Sequence, residues 1–65
     1  MPENPSYATA VRARILIIDD EEAIRESLEA LLTFERFAVE SAPDASSGLE
    51  LLGRKSYDLI LLDLM

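Results

Sequence analysis

Apolar residues are arranged in two ways along this chain, as short unbroken runs and as helical stripes. Ile15-Leu16-Ile17-Ile18 and Leu59-Ile60-Leu61-Leu62 are unbroken runs, the pattern of strands buried on both faces of a parallel sheet. After the first run, Ile24, Leu28, Leu31 and Leu32 fall on one stripe of a helix,. Acidic residues crowd the first turn of that helix, where they complement the positive end of its dipole. Glu22, Glu26 and Glu29 read as its solvated face, and Arg25 and Arg36 as solvated charges. A shorter, more polar segment around Phe37 to Ser41 reads as an edge strand. Phe34 and Phe37 flank the preceding turn and read as core or rim packing. Pro43-Asp44 opens a second helix, with Asp44 as N-cap and Ala45, Leu49 and Leu52 as its buried stripe. Gly53 is a stop signal, although the helix can run on to Lys55. The order strand, helix, strand, helix, strand implies right-handed crossovers and a parallel α/β sheet with helices on both faces.

Residues 1–13 carry two prolines, several small polar residues and no apolar period, so they read as a flexible N-terminal arm ahead of a domain starting at residue 14. Arg12 and Arg14 read as solvating charges at the start of the first strand. No apolar run approaches the roughly 20 residues a membrane helix requires, and the first residues lack the basic and apolar regions of a signal peptide. The expectation is a soluble cytoplasmic protein.

Composition narrows the chemistry. The 65 residues hold no cysteine and no histidine, so thiolate and imidazole ligands are both excluded. A metal bound here must take oxygen ligands, which favours Mg²⁺, Ca²⁺ or Mn²⁺ over zinc. Six basic against 13 acidic residues give a net charge of −7. That sign argues against direct nucleic-acid binding, which rests on clustered Lys and Arg.

Ligands of open parallel sheets bind beyond the carboxyl ends of the strands. Both deeply apolar strands end there in aspartate: Asp19 and Asp20 close the first, and Asp63 closes the third. If these strands are neighbours, three carboxylates converge. Their mutual repulsion is relieved by a divalent cation, and Mg²⁺ suits a shallow site of a few carboxylates plus waters. Asp-Asp before a helix can also be only an N-cap with dipole-favoured neighbours. A nucleotide site would need a G-x-x-x-x-G-K-[ST] loop, and the sequence has none.

Two segments resemble a known family. Ile15-Leu16-Ile17-Ile18-Asp19-Asp20-Glu21, followed by Ile24-Arg25, resembles the opening of bacterial response-regulator receiver domains. Tyr57-Asp58-Leu59-Ile60-Leu61-Leu62-Asp63-Leu64-Met65 resembles their phosphoacceptor strand, and the helix Asp44-Ala45-Ser46-Ser47-Gly48-Leu49-Glu50-Leu51-Leu52 lies between them at matching spacing. The resemblance covers residues 14–65 and implies a flavodoxin-like parallel sheet, here β-α-β-α-β with strand order 2-1-3 of a 2-1-3-4-5 receiver. It implies that Asp63 accepts a phosphoryl group from the phosphohistidine of a sensor histidine kinase. Asp20 would ligate Mg²⁺ directly, Asp19 largely through water, and the Met65 carbonyl would add a further ligand. Residues 23–26 would lie on the kinase-facing surface. Such a module is not an enzyme acting on other substrates.

The sequence also departs from the family. Receivers have five strands, with a Ser or Thr after the fourth and a Lys after the fifth, and this sequence stops two residues after Asp63. It reads as the first half of a receiver, with its third strand an exposed apolar edge. The rival expectation is a structural fragment that self-associates through that strand and carries no phosphotransfer activity.

Overall fold

The computed structural model describes residues 11–63. Most of the segment expected as an arm, and Met65 with its expected ligand carbonyl, lie outside the described residues.

The elements alternate as the pattern requires: β1 (Arg14–Ile18), α1 (Glu22–Phe34), β2 (Ala38–Ala42), α2 (Ala45–Arg54) and β3 (Leu59–Leu62). They form a three-stranded sheet of order β2-β1-β3. Both pairings are parallel, with Ile18 opposite Ala42 on one side and Leu62 on the other. β1 is therefore the central strand. Its four aliphatic residues Ile15, Leu16, Ile17 and Ile18 are buried and, with Ala42, make up the hydrophobic core. Side chains alternate across a strand, so Leu16 and Ile18 share one face with Ala42, where Leu51, Leu52 and Tyr57 cover them. α2 packs there on β1 and β2, whereas α1 packs on β2.

The helix stripes differ from the sequence expectation. In α2 the inward residues are Gly48, Leu51 and Leu52, while Ala45 is exposed and Leu49 is 67% exposed. Gly48 lies at the contact with β1. A Cβ there would lie 2.4 Å from Ile18 Cδ1 and 3.0 Å from Cγ1, so any other residue would make the end of the Ile18 side chain shift. Gly53 ends nothing, since α2 continues through Arg54 and the Lys55 N–H still bonds to the Leu51 carbonyl. In α1 the stripe is only half used. Leu28 and Leu32 are half-buried, but Ile24 and Leu31 are exposed, because the helix sits over β2 and leaves β3 uncovered. Phe34 is not core either, at 81% exposed.

The turn out of α1 is a Schellman closure. The Phe37 N–H bonds to the Leu32 carbonyl and the Arg36 N–H to that of Thr33. The left-handed residue it requires is Arg36, at φ 71°.

The amino edge of the sheet is tied across all three strands. Arg12 N–H bonds to the Arg36 carbonyl and Ala38 N–H to that of Ala13, each at 2.9 Å. The Arg12 guanidinium lies 5.0 Å from the half-buried Phe37 ring and 3.7 Å from Glu35, so Arg12 does more than solvate the start of β1. Arg14 and Asp58 exchange two bonds: Arg14 N–H donates to Asp58 Oδ2 and Asp58 N–H to the Arg14 carbonyl, both at 2.7 Å. Nearby, the Glu40 carboxylate accepts from Lys55 Nζ at 2.6 Å and from the Tyr57 hydroxyl. These bonds, led by that of Lys55, hold the Glu40 carboxyl below its ordinary range, and the bond to Glu40 pushes the Tyr57 hydroxyl up.

Candidate functional site: an acidic trio at the carboxyl edge

The strand register builds the site. Ile18 faces Leu62, so the next residues, Asp19 and Asp63, leave the sheet side by side. Backbone bonds fix both departures. Asp63 N–H donates to the Ile18 carbonyl at 3.0 Å, and Asp19 N–H to the Ala42 carbonyl at 3.1 Å. One carboxylate oxygen each from Asp19, Asp20 and Asp63 lies within 4.8 Å of the other two. Asp19 is buried at 6% exposure, and Asp20 and Asp63 are exposed. An open groove beside them is lined by Ile18, Pro43, Asp44, Ala45 and Leu62.

The N-cap reading of the acidic pair does not hold. The residue at the N-cap of α1 is Glu21, with an extended backbone and no capping bond from its side chain. Asp19 turns back instead, its Oδ1 accepting the Glu21 N–H at 2.9 Å, an Asx-type turn that holds the loop between β1 and α1. Asp44, by contrast, is a true N-cap. It accepts the Ser47 N–H at 2.8 Å, and that bond lowers its carboxyl from the ordinary value.

The donor set fits a hard divalent cation. It is made of carboxylate oxygens alone, and an octahedral Mg²⁺ with ligands at about 2.1 Å keeps them about 3–4 Å apart. A trio already within 4.8 Å meets that spacing with small side-chain movements or a bridging water. Of the expected ligands, Asp19, Asp20 and Asp63 are therefore brought together.

Sequence reasoning missed one residue of this region. Arg25, expected as a solvated charge, turns inward, and its Nη1 donates to the Asp19 carbonyl oxygen at 2.7 Å. Arg25 belongs to the segment that resembles the opening of receivers, but its residue type and spacing alone do not say that its side chain reaches back to the Asp19 carbonyl.

A three-stranded parallel sheet of this order, alternating with two helices, defines a partial flavodoxin-like α/β fold. The response regulator receiver domain matches residues 15–65, and the chain belongs to that family. It is similar to the transcriptional activator protein PfeR of Pseudomonas aeruginosa, 39% identical over 95% of this chain and 20% of the relative. The transcriptional regulatory protein DltR of Streptococcus agalactiae is 42% identical, and the response regulator MprA of Mycobacterium leprae 44%, each over 80% of this chain and 23% of the relative. The chain thus spans about a fifth of the length of these relatives. No solved structure matches it. Membership places the chain in two-component signalling, where receiver domains act as signalling modules. Among the described residues, no helix is long and apolar enough to cross a membrane.

Proposed function

We propose that residues 14–65 are receiver sequence in which Asp63 accepts a phosphoryl group from the phosphohistidine of a sensor histidine kinase. The observation that carries this reading is the convergence of Asp19, Asp20 and Asp63 beyond adjacent strands. An oxygen of the Asp63 carboxylate attacks phosphorus. The phosphorus–nitrogen bond breaks, its electron pair returns to the imidazole, and an acyl phosphate remains on Asp63. Asp63 suits this role because its side chain is exposed while its backbone is pinned to Ile18. That combination presents an accessible nucleophile from a fixed point on the backbone.

Asp20 and Asp63, with Asp19 beside them, would hold Mg²⁺. When bound, the ion offsets negative charge on the phosphoryl oxygens, where stabilisation of such a transfer is concentrated. The buried Asp19, already accepting the Glu21 N–H, is suited to binding through a water. The exposed Asp20 is suited to direct contact. The surface around residues 23–26 is then the part of α1 nearest an approaching kinase.

The test is phosphorylation by a small phosphoramidate donor in Mg²⁺, read by intact mass. The chain should gain one phosphoryl group. Asp63→Asn, which keeps the shape and removes the nucleophile, should abolish the gain. Equal labelling of the Asn variant would place the acceptor elsewhere.

A further inference from the structure

Arg25 stands where a cation is disfavoured. It lies in the first turn of α1, with its own N–H bonded to the Glu21 carbonyl at 3.1 Å, at the positive end of the helix dipole. A basic residue is tolerated there when a specific bond offsets the cost. The 2.7 Å contact from Nη1 to the Asp19 carbonyl is such a bond, short and charge-assisted.

Its location matters more than its strength. The Asp19 carbonyl belongs to the peptide that joins Asp19 to Asp20. Asp19 N–H is held by Ala42, Asp19 Oδ1 holds Glu21 N–H, and Arg25 holds the carbonyl between them. With the carbonyl fixed, the Asp19–Asp20 peptide plane has one orientation, and that orientation sets where the exposed Asp20 side chain leaves the backbone. Without Arg25, the two flanking bonds still allow the plane to rock.

We propose that Arg25 is a positioning residue for the acidic site, locking the peptide between Asp19 and Asp20 so that both carboxylates stay aimed at the Asp63 side of the groove. The inference rests on the cation-binding reading given above. It opposes simple electrostatics, in which removing a positive charge near a cation site tightens cation binding.

Mg²⁺ affinity separates the possibilities, measured on the chain by titration followed through amide resonances, with circular dichroism reporting the folded fraction of each variant. Arg25→Ala should weaken Mg²⁺ binding about 10-fold, at the low end of losses seen when partners orienting metal ligands are removed. The amide resonances of Asp20 and Glu21 should shift in the metal-free state. Arg25→Lys, which keeps a charged donor but loses the planar fork, should recover part of the affinity. Tighter binding by Arg25→Ala would mean that the charge acts only through the field, and the proposal would be overturned. It would be overturned equally by an affinity that falls only in proportion to the folded fraction, or by unchanged affinity. Failure of the unsubstituted chain to bind Mg²⁺ would instead remove the cation-binding reading itself.

Discussion

Single residues in this chain carry duties that their types do not announce. Arg36 takes the left-handed position of the Schellman turn, where a side chain is strained and glycine is not. Arg36→Gly should therefore raise the stability of the folded chain by about 0.5–1 kcal/mol. Chemical denaturation of the two chains checks the sign. The position was not legible in advance because the usual marker of such a turn, a glycine after the helix, is replaced by a residue that reads as a surface charge. The three aspartates were legible for the opposite reason. Each ends or follows an apolar run, and that contrast survives without any structure. Asp44 was equally plain, since an aspartate after proline at the head of a helix has few other uses.

At the scale of elements, apolar runs and stripes together with the turn residues located all five segments, but the stripes misjudged how the helices rotate about their axes. Leu49 was the natural choice for the inward face of α2, yet it is exposed and Gly48 is buried. A hydrophobic pattern counts apolar side chains, and a glycine contributes none, so this close approach left no trace in it. The contact makes Gly48 and Ile18 a coupled pair. An alanine at 48 gains helix propensity of about 1 kcal/mol but meets the end of the Ile18 side chain. Ile18→Val removes the Cδ1 that it meets. In a double-mutant cycle of Gly48→Ala and Ile18→Val, the pair should be more stable than the sum of the single changes by about 1 kcal/mol. Additive values would show that α2 shifts freely on the sheet. α1 was misjudged for a different reason. Its stripe is continuous, but half of it has nothing to meet, because α1 packs over β2 and Ile24 and Leu31 remain exposed.

Taken whole, the molecule is a sheet with unlike flanks. β2 is backed by both helices, whereas β3 pairs with β1 and leaves Leu59, Ile60 and Leu62 exposed. An uncovered apolar strand at a sheet edge is a template for pairing with another chain. These 65 residues alone should therefore show concentration-dependent association in sedimentation velocity. Ile60→Lys, a charge placed on that strand, should shift them toward monomer, and a monomer at all concentrations in the unsubstituted chain would count against this. The strand order was readable only through the resemblance to receivers, since alternation of strands and helices gives a parallel sheet without saying which strand is central. That centre is β1, and its place in the chain has a cost during synthesis. Its partner on the β3 side follows it by 44 residues, the separation of Arg14 and Asp58. At about 5–20 residues per second, the ribosome needs several seconds to deliver it. For that interval the most water-averse stretch of the chain stands with at least one edge open, so a chaperone that shields Ile15 to Ile18 would matter most before Asp63 has been made.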